Sequence, residues 1–492
     1  MKNRRDFLKN VFGASASIMA APALLNAQHQ HTQTSAAQIR EEHKTGAHAA
    51  GNVPVQTPDI PDLPFTVDNG VKVFHLIAEP VKQQIAPNKT LILWGFNGSA
   101  PGPTIQVNQG DRVRIIVDNH LPEPTSMHWH GFEIPNNMDG APGMSQMPIK
   151  PGGRFIYEFT LHQEGTYFYH SHMAMQEMMG MLGGFIMHPK KPYRPSVDKD
   201  FLIVLQEYAV LPNNVVPNSM NMEFNWLVFN GKAGPAITPL IVRLGDRVRV
   251  RFVNIGMDHH PIHLHGHTFV VTGTEGGRVP ESAWIPGNTV LVGVAQSRDF
   301  EFVANNPGDW MLHCHLPHHM MNQMSSNVGP MSRSGRGIPA GVSMENGMGM
   351  LTGDPPVPTG EDYGPSLGRG MGFGSTRDFP KANGPVSQQN SMQHMQGMEH
   401  GNMQDDIAQN ADSVPGFPQD AYMEGPMMAM DEMVAKPQNY GLPRGWSGFM
   451  QGMMTMVRVL PPDKYEEVME RIRRGEKPPM NMHHMPNTQH PQ

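Results

Sequence analysis

The chain has 492 residues, among them 41 Met, 26 His and a single Cys, and a formal net charge of −7. That length allows two to four domains with sizeable cores. The acidic balance argues against a nucleic-acid partner, which needs a basic face, and one cysteine excludes any disulfide within the chain.

In chain order, Arg4-Arg5-Asp6-Phe7-Leu8-Lys9 is a twin-arginine pattern, followed by a modest apolar run from Val11 to Leu25. The run is too short and too rich in small residues to span a bilayer. Residues 1–27 are expected to be a signal peptide for twin-arginine export, which places the mature protein in the periplasm or outside the cell. No second long apolar run follows, so no membrane span is expected. Residues 28–64, rich in Gln, His, Ala and Pro, read as a flexible leader.

From 65 to 192, short alternating runs between Gly and Pro turns predict strands over Val71–Ala78, Thr90–Phe96, Asp111–Asn119, Arg154–Leu161 and Gly165–His170. The spacing suits an all-β sandwich. The same grammar returns from 193 to 330. Gly110-Asp111-Arg112-Val113-Arg114 recurs as Gly245-Asp246-Arg247-Val248-Arg249, and His128-Trp129-His130-Gly131 recurs at the same offset as His263-Leu264-His265-Gly266. His170-Ser171-His172 recurs, after a short insertion, as His313-Cys314-His315. Two copies of one domain account for this. Residues 331–492 are rich in Gly, Pro, Gln and Met, poor in aliphatic side chains, and expected to be mostly disordered. Within them 463–474 reads as a short amphipathic helix capped by Asp463 after Pro461-Pro462, a piece able to dock on the body.

On a strand, side chains alternate faces, so an H-x-H triplet points two imidazoles to one side and the middle residue to the other. Four such triplets, 128/130, 170/172, 263/265 and 313/315, stand at matching places in the duplication. In the last triplet Cys314 faces away from its two histidines. His260 lies just before His263, and His319 and Met324 follow Cys314. One Cys, two His and a Met form the trigonal blue-copper set with a weak axial thioether. The first domain has Ser171 where the second has Cys314, so it carries no such site.

These motifs resemble the multicopper oxidases, over roughly 65 to 328: His128-Trp129-His130-Gly131, His170-Ser171-His172, His260-Pro261-Ile262-His263-Leu264-His265-Gly266, and His313-Cys314-His315 through His319 to Met324. The resemblance implies two tandem cupredoxin-like Greek-key sandwiches and four coppers per protomer. His260, Cys314 and His319 would bind the type 1 copper with Met324 axial, and His128 and His263 the type 2 copper. His130, His170 and His315 would bind one type 3 copper, and His172, His265 and His313 the other. Asp139, in Asp139-Gly140-Ala141-Pro142-Gly143, is the candidate acid beside the cluster. Where some relatives carry a second acid after the later type 1 histidine, this chain has Met320.

The family's three-domain laccases are longer by a domain. Two domains with blue copper in the second match a laccase-like subgroup whose trinuclear sites form between neighbouring subunits, typically in a homotrimer. The expected function is four one-electron oxidations coupled to reduction of O2 to water. The methionines at 173, 175, 178, 179, 181, 320 and 321 and in the tail favour Cu(I) as donor, hence copper tolerance. A phenol or aromatic-amine laccase is the alternative. A copper nitrite reductase and a non-catalytic copper carrier are more distant ones: eight paired imidazoles argue against the first, and Cys314 between two cluster histidines against the second.

Overall fold

The computed structural model describes residues 52–87, 89–173, 175–210, 215–219, 222, 224–320 and 431–476. The signal segment, the leader up to residue 51 and Met324 lie outside them.

The first domain has nine strands: β1 (Phe65–Asp68), β2 (Val71–Ala86), β3 (Lys89–Phe96), β4 (Gly102–Asn108), β5 (Arg112–Asn119), β6 (Met127–His130), β7 (Arg154–Thr160), β8 (Gly165–Ser171) and β9 (Leu182–His188). One sheet runs β1-β2-β5-β7 with β3 on β2, and the other runs β4-β9-β8-β6. Alternation along β2 and β5 turns Phe74, Leu76, Val113, Ile115 and Val117 inward, where they meet Trp129, Tyr169 and Phe185 from the second sheet.

The second domain repeats the plan with β10 (Lys199–Tyr208), β11 (Trp226–Phe229), β12 (Leu240–Arg243), β13 (Arg247–Asn254), β14 (His260–Leu264), β15 (Phe269–Thr274), β16 (Gly277–Arg278), β17 (Ile285–Gly287), β18 (Thr289–Val292), β19 (Gln296–Val303), β20 (Gly308–Cys314) and β21 (Met454–Leu460). One sheet runs β11-β10-β13-β19-β15-β16 with β17 on β15, and the other β12-β21-β20-β14-β18. All-β folding with few helices agrees with the expected fold class.

Three expectations need correction. Residues 52–64 are not a free leader: Val55 and Ile60 are buried, and Gln56 and Asp62 bridge to Phe201 and Thr104. The second domain does not end at 330, because β21 lies between β12 and β20, parallel to the first and antiparallel to the second. The helix α1 (Pro462–Arg474) is present, but Pro461 is its N-cap and Asp463 sits in its first turn. Tyr465 and Val468 bury one face of α1 on Ile241 and Leu460.

β21 is the counterpart of β9. In both copies the strand after the second H-x-H pairs parallel with an earlier strand, β9 with β4 and β21 with β12. The Ser171 amide donates to Met181 O at 2.9 Å, and the Cys314 amide donates to Met453 O at 3.0 Å. The chain reaches β9 soon after His172, whereas it reaches β21 only after the long segment from 321 to 453.

The halves share a core in which Phe168, Leu182 and Ile186 pack on Leu202, Val204 and Val253. Beside it Arg251 is buried against Asp200 at 2.7 Å and donates to Thr166 Oγ1 of the first domain at 2.7 Å. Asp299 accepts from the Thr166 hydroxyl, also at 2.7 Å. Buried charges persist only when paired and hydrogen-bonded in this way.

Candidate metal centre

Register brings the first four histidines together. β6 pairs with β8 so that His128 stands opposite His170, and His130 and His172 lie one turn of the pleat away. Ring centroids are 5.6 Å apart for His128 and His130, 5.3 Å for His128 and His170, and 5.2 Å for His128 and His172. In the second domain β14 and β20 place His263 opposite His313. His263 is then 4.9 Å from His265, 5.6 Å from His313 and 5.4 Å from His315. In three triplets the second histidine stands just past its strand's last residue, so only 128/130 lies wholly on a strand.

Backbone carbonyls set the imidazole tautomers. His128 Nδ1 donates to Asp139 O at 2.8 Å, His170 to Ser171 O at 2.9 Å, His263 to Asn288 O at 2.7 Å and His313 to Cys314 O at 2.8 Å. Each Nε2 is left with its lone pair for a metal. Burial, then neighbouring histidines, holds the proton affinity of His130 down to about 4, and burial also lowers those of His128, His265 and His313. These rings are kept neutral, the state a metal requires.

Each tetrad is open on one side: His172 and His315 are exposed. Among the described residues, the histidine–histidine ring contacts of each tetrad stay within it.

The third cluster is closed. His260, Cys314 and His319 are all buried. Cys314 Sγ lies 3.7 Å from His260 Nδ1 and 3.5 Å from His319 Nδ1, and the two nitrogens are 3.2 Å apart. An ion centred in that triangle would be about 2 Å from each atom, a first-row metal–ligand distance. Burial pushes the thiol up to about 12, so a bound cation must displace its proton. The donor set fits the trigonal blue-copper site of the sequence reading.

The first domain shows what replaces such a site. Thr125, Ser171 and Gln176 occupy the places of His260, Cys314 and His319. Ser171 Oγ donates to Gln176 Oε1 at 2.7 Å and Thr125 Oγ1 to the same oxygen at 2.9 Å. A closed hydrogen-bond trio leaves no ligand free.

Asp139 stands beside His128, its carboxylate 3.5 Å from Nδ1. It is held there by Gly140, whose φ of +90° and contact with Met127 O leave no room for a Cβ. Sequence reading missed three further carboxylates. Glu177 approaches His170 Nδ1 at 2.9 Å, Glu207 approaches His260 Nε2 at 3.4 Å, and Asp258 approaches His319 Nε2 at 3.5 Å. The His319 contact holds the Asp258 carboxyl below its ordinary range. Asp258 stands two residues before His260, and Glu177 directly follows Gln176, the place that matches His319. Glu207 is joined to His260 by tertiary packing alone.

The methionines divide. Met178 and Met181 are core residues. Met311, Met320, Met450, Met454 and Met456 gather in one cluster with Leu442 and Trp446; Met454 stands opposite His313 and Met456 opposite Met311, on the face of β20 away from Cys314, and Met320 follows His319 in the chain. No helix among the described residues is long and apolar enough to cross a membrane.

Family models described as multicopper oxidase match residues 79–192 and 210–331. Copper resistance protein A of Pseudomonas syringae pv. tomato is 42% identical over 114 residues, which are 23% of this chain and 19% of that protein. Laccase-1 of Cryptococcus neoformans var. neoformans serotype D is 31% identical over 244 residues, 42% of this chain and 38% of that one. The match thus spans well under half of either relative. The crystal structure of a blue copper oxidase from Nitrosomonas europaea aligns with TM-score 0.47 and 30% identity, covering 51% of this chain and 81% of that one.

Proposed function

We propose that this chain, which belongs to the multicopper oxidase family, oxidises a one-electron donor at a type 1 centre held by His260, Cys314 and His319 and reduces O2 to water at a trinuclear centre built from the two histidine tetrads. Bound copper supplies the one-electron chemistry and the affinity for O2. The observation that carries the proposal is Cys314: its sulfur faces one centre while its chain neighbours His313 and His315 belong to the other. Its carbonyl also accepts from the His313 ring, so two short routes lead from the thiolate to the second centre. On the family pattern His128 and His263 take the type 2 position. His130, His170 and His315 take one type 3 position, and His172, His265 and His313 the other. Met324 would complete the type 1 ligand set, for four coppers per protomer. Asp139, whose carboxylate lies 3.5 Å from His128 Nδ1, would hold or pass a proton there.

The openness of both tetrads favours assembly across subunits. The first tetrad of one copy faces the second of the next, a head-to-tail contact that closes into a ring, which we take to be a homotrimer. Twin-arginine export to the periplasm completes the proposal.

For the donor we favour Cu(I), in a copper-tolerance role. The support is the five-methionine cluster, which shares the His313 face of β20 and includes Met320, the residue after His319, since thioethers are soft ligands suited to Cu(I). The similarity to a protein named laccase keeps phenols as the second reading. Steady-state O2 uptake with Cu(I) and with a phenol, on wild type and on a Met450→Leu, Met454→Leu, Met456→Leu variant, separates them, because Leu conserves volume. A selective loss of Cu(I) turnover supports the cuprous reading, and equal activities with both donors refute it. Nitrite turnover without O2 uptake would identify a nitrite reductase instead. Copper binding without turnover would identify a carrier.

A further inference from the structure

We propose that Glu207 sets the reduction potential of the type 1 centre by hydrogen-bonding its ligand His260; the inference rests on the type 1 reading above.

Glu207 sits near the end of β10, on neither copy of the histidine motifs, yet its side chain and that of His260 are both 0% exposed. Its Oε2 lies 3.4 Å from His260 Nε2, the ring nitrogen opposite the Nδ1 that faces Cys314 and His319. Its Oε1 accepts the Asp258 amide at 2.9 Å and the Met257 amide. Three N–H groups therefore converge on one carboxylate. They fix its orientation and aim one oxygen at the ligand.

The space for it is built. A Cβ on Gly256 would fall 2.0 Å from Glu207 Oε2 and 2.4 Å from Oε1 and Cδ. The glycine is needed to seat the carboxylate, although its own φ lies outside the left-handed range that favours glycine. The first domain offers a control, because Thr125 replaces His260 there and joins a closed hydroxyl–amide trio with no carboxylate in it.

The chemical effect follows from charge. A carboxylate that accepts the Nε2 proton makes the imidazole a stronger donor through Nδ1. Inside a dry site its charge is poorly screened. Both effects favour Cu(II) over Cu(I). The centre gains one electron from the donor and loses one through Cys314, with no bond formed or broken, so Glu207 shifts the balance of that exchange without entering it. It is a positioning residue.

The test is a redox titration of the blue absorbance in the copper-loaded, full-length protein. Glu207→Gln keeps the shape and removes the charge. It is expected to retain the blue absorbance and to favour Cu(I) by about tenfold or more, which for one electron is a rise of ~59 mV. Gly256→Ala keeps the charge but displaces it from His260, and should move the potential in the same direction. A blue variant with an unchanged potential overturns the inference, whichever of the two yields folded protein. A purely structural role for Glu207 would lower the melting temperature and leave the potential where it was. Absence of blue absorbance in the wild type would instead refute the type 1 reading itself.

Discussion

Removing the chain from residue 431 onward should unfold the second domain, not merely trim a tail. β21 lies inside its sheet, and Met454, Met456, Val457, Val459 and Leu460 are buried. At roughly 1.5–3 kcal/mol for each buried side chain, the strand's apolar burial is worth roughly 7–15 kcal/mol as an upper estimate. A whole domain's net stability is about 5–15 kcal/mol, so the truncated domain has nothing left to hold it. The same cut exposes the Cys314 amide, which now donates to Met453 O. Deleting only residues 331–430 leaves every described contact of β21 in place. Shortening that connection by about two doublings should even favour closure by about 1 kcal/mol. The assay is calorimetry with copper counted per protomer. Loss of the second-domain transition and of the type 1 copper is expected after truncation at 431, and retention of both after the internal deletion. A truncated protein that melts like the full chain and stays blue would refute the assignment of β21 to the core.

Cys314→Ser should abolish the blue absorbance and turnover while the tetrads keep most of their copper by metal analysis; a retained blue band would contradict the ligand assignment. In the copper-free protein the Cys314 thiol, pushed up to about 12 by burial, should resist alkylation near pH 8 and react only once denatured, and rapid native labelling would count against its burial. Histidines whose proton affinity is lowered in the fold take up protons first in the unfolded chain. Stability of the copper-free protein should therefore be complete above about 6.5 and fall as pH drops toward about 4, where His130 itself titrates. Melting temperatures that stay level across that window would speak against this.

The histidine tetrads and the Cys314 cluster were legible because they stand in short motifs repeated in register, and strand alternation alone assigns their faces. Ser171 against Cys314 indicated which domain lacks a Cys–His cluster, and the Thr125–Ser171–Gln176 trio stands in its place. The closing strand was not legible in its place. Its words were available: Gly452-Met453-Met454 ends in Pro461 as Gly180-Met181-Leu182 ends in Pro189. Composition averaged over the surrounding Met-rich segment hid a seven-residue strand, and the long intervening segment broke the common offset. Glu177 follows Gln176, the place that matches His319, so the duplication could have pointed to it, whereas Glu207 could not be found from spacing at all. A carboxylate that meets a ligand through packing between strands leaves no periodic signal.

The strand that completes the second sandwich is also, among the described residues, the last one made. The first sandwich finds every partner strand within its own contiguous stretch and can form early in synthesis. The second must wait, with β12 and β20 unpaired along facing edges, until residue 460 has emerged. Open strand edges invite pairing with other chains, so the interval between residues 320 and 454 is a window of exposure whose length is fixed by the rate of translation. Folding order in this protein is therefore set by where one strand was left in the gene.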